Sequence, residues 1–166
     1  MSIMKRRVAL LVLTICTFTA FAQETKKNSG YHGIVEFGGA TFVAERTPFL
    51  GSVNFINGYK FNPSLSLGIG IGMTFDFKHF GEKGSYILPL YGNFRANLGY
   101  DKYQKVVPYI QTGLGVAIAS GAQLFFLRQS IGIGFKNSPV SIGFSGEVFR
   151  FPTYPIILGL NIGFSF

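Results

Sequence analysis

A strict alternation of apolar with small or polar residues runs along most of this chain. It is clearest in residues 64–77, where one series is Leu65, Leu67, Ile69, Ile71, Met73, Phe75 and Phe77, and the other is Ser66, Gly68, Gly70, Gly72, Thr74 and Asp76. Successive side chains of a β-strand point to opposite faces, so this segment has one apolar face and one small or polar face. No stretch shows a sustained 3.6-residue period, and the pattern therefore predicts an all-β protein.

The same alternation predicts eight strands. They cover residues 31–43, 51–61, 64–77, 86–98, 107–118, 123–135, 140–149 and 155–166. Strands of soluble proteins usually have about 5 to 6 residues, whereas a strand tilted by about 45° needs about 9–11 to cross a bilayer. Three turns (62–63, 99–106 and 136–139) alternate with four loops (44–50, 78–85, 119–122 and 150–154), which places both termini at one end. The prediction is an eight-stranded antiparallel up-and-down transmembrane β-barrel.

A period of two does not by itself tell which face is outside. A soluble, lipocalin-like barrel would turn the apolar face inward, and a transmembrane barrel would turn it toward lipid. Many glycines fall on the non-apolar face: Gly68, Gly70, Gly72, Gly113, Gly115, Gly132 and Gly134. An eight-stranded barrel has a narrow lumen, so small residues around a few large polar ones suit its interior. This composition favours the transmembrane orientation.

The first 22 residues read as a cleaved secretory signal peptide. Lys5, Arg6 and Arg7 precede an apolar stretch, and Ala20-Phe21-Ala22 supplies a small-x-small cleavage site. A transmembrane anchor is the rival interpretation, but the apolar run of about 14 residues is shorter than the roughly 20 that a spanning helix needs. Lipidation of Cys16, the only cysteine, is disfavoured by the bulky Ile15 before it. We expect residues 23–30 to form a short polar linker and residues 31–166 to form the barrel.

The positive charge does not indicate nucleic-acid binding. The full chain has a formal net charge of +8, and removal of residues 1–22 leaves 12 basic residues against 7 acidic ones, a net charge of +5. These basic residues are scattered singly, with only Lys26-Lys27 adjacent, whereas a nucleic-acid site needs a basic patch. We expect no nucleic-acid partner.

Four stretches carry a family resemblance: "GYKFNPSLSLGIGIG", "LPLYGNFRANLGY", "PYIQTGLGVA" and the closing "LGLNIGFSF". With the strand count, they make the chain resemble the small eight-stranded OmpA/OmpX-like outer-membrane β-barrels of Gram-negative bacteria. The resemblance implies a cell outer-membrane location, contact with outer-membrane lipids and recognition by the barrel-assembly machinery. Leu160, Ile162, Phe164 and Phe166 match the alternating, Phe-terminated pattern that this machinery reads, although any lipid-facing strand shows such alternation.

Five charged residues are expected on inward faces and form a candidate lumen charge network: Glu36, Asp76, Arg95, Arg128 and Glu147. Two functions compete for them. Paired charges would plug the lumen, because a buried charge is tolerable only when it is paired and hydrogen-bonded. Alternatively, the same charges would line a narrow pore and select ions. The small lumen of eight strands favours the plug.

Other chemistry is sparse. His32 begins the first strand, His79 falls in a loop, and no HxxxH, HExxH or GxSxG motif accompanies them, so we predict no catalytic residue, metal site or cofactor. Aromatic residues near strand ends predict membrane-interface girdles: Tyr31, Tyr59, Phe61, Tyr86, Tyr100, Tyr109 and Tyr154. The expected function is a monomeric barrel that stabilises the envelope or presents its loops. The alternatives are a narrow channel for ions or small solutes and a lipid-acting enzyme.

Overall fold

A computed structural model describes residues 29–42, 49–77, 86–99, 105–119, 122–150 and 156–166. They form eight strands: β1 Gly30–Phe42, β2 Leu50–Asn62, β3 Leu65–Asp76, β4 Tyr86–Asn97, β5 Val106–Ala119, β6 Ala122–Phe135, β7 Val140–Arg150 and β8 Ile156–Ser165. Every strand pairs antiparallel with the next, and β1 pairs with β8, which closes a barrel. No helix long and apolar enough to span a membrane occurs among these residues. The predicted signal peptide and His79 lie outside the described residues.

The predicted fold class is confirmed, and no strand end differs from its predicted position by more than one residue. Local side-chain chemistry explains one sharp boundary. The Asn62 side-chain oxygen accepts hydrogen bonds from the backbone N–H groups of Ser64 at 2.8 Å and Leu65 at 2.9 Å, which folds the chain back from β2 into β3. Gly99, which follows β4, has a φ of 65° that residues with a side chain rarely adopt.

The two ends of the barrel differ in their connections. The turn end contains residues 63–64 and 136–139, the ends of β4 and β8 and the starts of β1 and β5. The loop end is the opposite end, where β1, β3, β5 and β7 end. The last residue completes the closure between β1 and β8, because the backbone N–H groups of Gly33 and Phe166 each donate to the other's carbonyl oxygen at 2.9 Å. No strand edge is left open there, as a membrane crossing requires.

The apolar face of the strands lies outside. Leu67 is 53% exposed and Ile69 is 66% exposed, whereas Arg95 is only 7% exposed. In soluble proteins apolar side chains are mostly buried and charged ones exposed, and here the order is reversed. Large apolar side chains of all eight strands are exposed around the barrel. This arrangement confirms the transmembrane orientation and excludes the lipocalin-like alternative, in which the apolar face fills the interior.

Exposed aromatic pairs lie near both ends of the apolar surface. At the loop end, the rings of Phe49 and Phe77 stack with centroids 5.6 Å apart, and at the turn end Tyr59 and Phe61 meet edge to face at 5.3 Å. Such pairs suit the two membrane interfaces. The prediction that Tyr109 belongs to a girdle is wrong, because its side chain is almost fully buried in the lumen. It shares its strand face with the inward-pointing Gln111.

The lumen contains an apolar layer near the loop end. The ring of Phe126 lies 5.2 Å from that of Tyr91 and 5.3 Å from that of Phe149, and all three side chains are buried. Ile157 and Leu124 belong to the same buried cluster. The interior is therefore partly an apolar core, and the polar residues lie between this layer and the turn end.

Candidate functional site: a buried charge network

An ion-pair triad crosses the middle of the lumen. Nη1 of Arg128 on β6 lies 2.6 Å from Oε2 of Glu36 on β1, and Nε of Arg128 lies 3.5 Å from Oε1 of Glu147 on β7. The three residues are between 1% and 5% exposed. Arg128 is the central member, because it contacts both carboxylates while they approach it from different strands.

Neutral polar side chains extend this triad into a wider network. The amide of Gln111 donates to Oε1 of Glu36 at 3.2 Å, and Nη1 of Arg128 donates to the Tyr91 hydroxyl at 3.3 Å. The Tyr91 hydroxyl in turn donates to Oδ1 of Asn54 at 3.2 Å. We call these six side chains the lumen network: Glu36, Asn54, Tyr91, Gln111, Arg128 and Glu147. They come from six of the eight strands, so the network connects opposite walls of the barrel.

Glycines make room for these large side chains. A Cβ atom at Gly70 would overlap the ring of Tyr91, and one at Gly113 would lie 2.8 Å from the same ring. The two strands that contribute no network side chain present glycine to it: Gly72 lies against the Asn54 amide, and Gly163 lies beside Glu36. The abundant inward glycine seen in the sequence therefore has a specific use, because the narrow interior holds the Tyr91 ring only where the neighbouring strands have no side chain.

The arrangement has the properties of a plug. Arg128 lies within ion-pair distance of both carboxylates, at 2.6 and 3.5 Å, and Gln111 adds a hydrogen bond to Glu36, so the charges compensate one another away from water. The apolar layer of Phe126 and Phe149 lies directly beside Tyr91, so a polar and an apolar barrier follow one another along the lumen. Within the described ranges, no group of three or more His, Cys, Asp or Glu residues could hold a metal ion.

The structure separates the other two residues of the predicted charge set from the triad. Arg95 is buried, but its guanidinium lies over the ring of Tyr109, 3.7 Å from the centroid, and its Nε lies 3.4 Å from the side-chain oxygen of Asn97. Asp76 is the last residue of β3 and is partly exposed, so it lies at the end of the barrel near the loops. Asp76 was expected on the inward face of β3, and the structure places it at the loop end of that strand, away from the level of the triad.

The residues of the C-terminal pattern lie on the outer face of β8. Leu160, Ile162 and Phe164 are exposed and alternate with the buried Asn161 and Gly163. The ring of Phe166 lies over Gly33 and about 6.2 Å from that of Phe55 on β2.

Sequence reasoning missed three members of the lumen network, Asn54, Tyr91 and Gln111. Strand parity had already placed Tyr91 on the inward face with Arg95, so the signal for its position was present. Parity gives the face of a residue but not its contacts across the barrel. A large inward residue opposite glycines on the neighbouring strands is the signal that would have singled out Tyr91.

Comparisons with known proteins support the fold and leave the activity open. No family model matches the chain, and no curated protein matches it. Among solved structures, Neisserial surface protein A is 14% identical to this chain, with a TM-score of 0.60. The alignment covers 84% of this chain and 96% of that protein's chain. The outer-membrane enzyme PagL is 15% identical, with a TM-score of 0.57, and the alignment covers 80% of this chain and 97% of the PagL chain.

A third similar structure is the N-terminal β-barrel domain of Pseudomonas aeruginosa OprF, which is 17% identical with a TM-score of 0.53. It covers 84% of this chain and 98% of its own. Similarity at these identities concerns the fold, and it agrees with the closed barrel of eight antiparallel strands. This chain is therefore an eight-stranded transmembrane β-barrel with the fold of the small outer-membrane barrels.

Proposed function

We propose that this protein is a non-catalytic outer-membrane barrel with a closed lumen, which stabilises the cell envelope or presents its loops to an outside partner. The observation that carries the proposal is the lumen network, because Arg128 joins Glu36 and Glu147 across the interior. A pore needs a continuous water path, whereas here paired charges and an apolar layer follow one another along the axis. Eight strands leave little space around them.

The proposed location follows from several independent features. The exposed apolar surface suits hydrocarbon, and the aromatic pairs near its two ends suit the membrane interfaces. The sequence supplies an export signal over residues 1–22, and Leu160 to Phe166 supply the pattern for the barrel-assembly machinery. With the termini on the periplasmic side, the four loops would face outside the cell. We propose that the barrel acts as a monomer among outer-membrane lipids.

Planar-bilayer recording tests the closed lumen. We expect the purified, refolded protein to show no unitary conductance, while a channel-forming barrel reconstituted in parallel confirms the sensitivity of the bilayer. The matched variant is Phe126→Ala, which removes the central ring of the apolar layer and leaves the triad intact. Reproducible single-channel steps from the wild type would contradict the plug and favour a narrow channel.

The absence of catalysis is a separate part of the proposal. PagL is described as an outer-membrane enzyme, and its similarity to this chain lies in the fold. Incubation of the refolded barrel with phospholipid and lipopolysaccharide, followed by mass spectrometry, is expected to show no released acyl chain. Lipid turnover that disappears on substitution of both His32 and His79 would identify an enzyme instead.

Location and role are tested in cells. We expect the protein in the outer-membrane fraction, with a gel mobility that changes on boiling, as a detergent-resistant barrel shows. A strain that lacks the protein should become more sensitive to detergent if the barrel stabilises the envelope. Complementation with a variant that has four shortened loops separates the two roles. If the barrel itself stabilises the envelope, this variant restores detergent resistance. If the loops carry the function, the variant does not bind the outside partner.

A further inference from the structure

A cavity of about 170 Å³ opens at the turn end of the lumen, on the far side of the lumen network from the apolar layer. Four basic residues line it: His32, Lys60, Arg95 and Lys136. Serine hydroxyls fill much of the remaining wall, including Ser138 and Ser141. No Asp or Glu occurs among the lining residues that the structure describes. We call this cavity the basic pocket.

The basic residues form a gradient of burial from rim to base. Lys136, in the turn between β6 and β7, is exposed, whereas Lys60 and His32 are half-buried on β2 and β1. Arg95 on β4 is 7% exposed and forms the base. Lys60 from β2, Arg95 from β4 and Lys136 from the turn thus bring positive charge to one place, although they are far apart in the sequence.

Arg95 has unused hydrogen-bonding capacity at this base. Its guanidinium carbon lies 3.7 Å from the centroid of the Tyr109 ring, and its Nε faces Asn97, but Nη1 is buried and has no hydrogen-bond partner among the described residues. Gly134 lies beside Nη2, where even a Cβ would be 3.6 Å away, so the wall next to this nitrogen is open. A buried donor without an acceptor is costly, and its presence points to a water or an ion that completes the site.

We propose that the basic pocket binds a small phosphate-type oxyanion that enters from the aqueous side. An arginine guanidinium presents planar, paired donors that match the oxygens of phosphate, and lysine adds positive charge that need not be precisely oriented. The pocket volume is several times that of one water, which is about 30 Å³ in the liquid, so it has room for the anion and part of its hydration. A lipid phosphate is a poorer occupant, because the lining side chains face the lumen and not the bilayer.

The proposal predicts saturable phosphate binding that depends on charge in this pocket. Isothermal titration of the refolded full-length barrel, in a zwitterionic detergent and a phosphate-free buffer, is expected to give a dissociation constant for inorganic phosphate of about 1 mM or lower. Lys60→Gln should weaken binding by about tenfold, because one charge-assisted contact is lost. Lys60 is half-buried, so this variant is expected to fold.

The matched control is Lys105→Gln. Lys105 lies at the same end of the barrel and is exposed, but it does not line the pocket, so its loss changes net charge equally and should leave phosphate affinity within about twofold. Arg95→Gln, if its gel mobility shows a folded barrel, should remove measurable binding.

Three results would overturn the proposal. The first is no saturable heat from the wild type, which would mean that water alone fills the pocket. The second is an equal loss of phosphate affinity in Lys60→Gln and Lys105→Gln, or equal affinities for acetate and phosphate. Either result would show only a general attraction of anions to a basic protein. The third is competition by phosphatidylglycerol added to the micelles, which would assign the pocket to a lipid phosphate.

Discussion

Replacement of Arg128 by methionine is the sharpest test of the lumen network. Arg128→Met keeps a long, unbranched side chain but removes the charge between Glu36 and Glu147. The two carboxylates then remain in the lumen without their ion pairs at 2.6 and 3.5 Å, and the Tyr91 hydroxyl loses its donor at 3.3 Å. Residual bonds from Gln111 to Glu36 cannot neutralise a charge.

The expected cost follows from the burial of these groups. Removal of one partner of a buried pair typically destabilises a protein by about 3–5 kcal/mol, since the remaining charge is uncompensated. Surface pairs are worth only about 0–1 kcal/mol, so the burial of all three residues decides which estimate applies. At a urea slope of about 2 kcal/mol/M, the unfolding midpoint should fall by about 1.5–2.5 M.

Urea unfolding of the barrel in phospholipid vesicles, followed by tyrosine fluorescence and by gel mobility, measures this shift. The control is the triple variant that combines Arg128→Met with Glu36→Gln and Glu147→Gln. It has the same volume change but leaves no unpaired charge, and it should regain at least half of the lost stability. A single variant with a wild-type midpoint would refute the buried pairing. A triple variant as unstable as the single one would attribute the loss to packing.

Three further tests concern the exterior, the glycine-lined interior and the last residue. Ile69→Arg should destabilise the barrel in vesicles by about 2–4 kcal/mol, because Ile69 faces lipid, and an unchanged urea midpoint would argue against that orientation. Gly70→Ala should lower the free energy of unfolding by about 1–3 kcal/mol, because the new Cβ would overlap the Tyr91 ring. The control Gly92→Ala should change it by no more than about 0.5 kcal/mol, because its Cβ would meet nothing closer than 3.8 Å. Equal effects of the two substitutions would contradict the packing. Phe166→Ala should slow membrane assembly in cells more than refolding of the purified protein in detergent, and equal slowing in both assays would make its role one of packing alone.

Most of the fold could be predicted because period-two alternation determines several properties together. It gives the strand positions, the face of each residue and, through strand length, the membrane crossing. The inward placement of Arg128 and Glu147 follows from the same parity. The hydrogen bonds of Asn62 then end β2 within one residue of the expected position.

Contacts across the lumen could not be predicted in the same way. The sequence does not show that Glu36 on β1 reaches Arg128 on β6, because the tilt of the strands determines which residues share a level. For the same reason the sequence does not distinguish Arg95 from Arg128, since both are arginines at inward-facing strand positions. In the structure, Arg95 lies over the ring of Tyr109 and lines the basic pocket, whereas Arg128 forms the triad. The apolar layer was missed because the inward face was expected to carry small or polar residues.

The buried charges also restrain which face of β1, β6 and β7 is inside. A register slip of one residue would turn every side chain of a strand to the opposite face. For β6, that slip would move Arg128 from its carboxylates to the lipid, where an arginine near the bilayer midplane costs about 2–4 kcal/mol, and it would abandon both ion pairs. Glu36 and Glu147 apply the same restraint to β1 and β7. An apolar lumen would pack as well, but the two faces of each strand would then differ less in polarity. The lumen network therefore helps to specify the inward face of these strands, in addition to blocking the lumen.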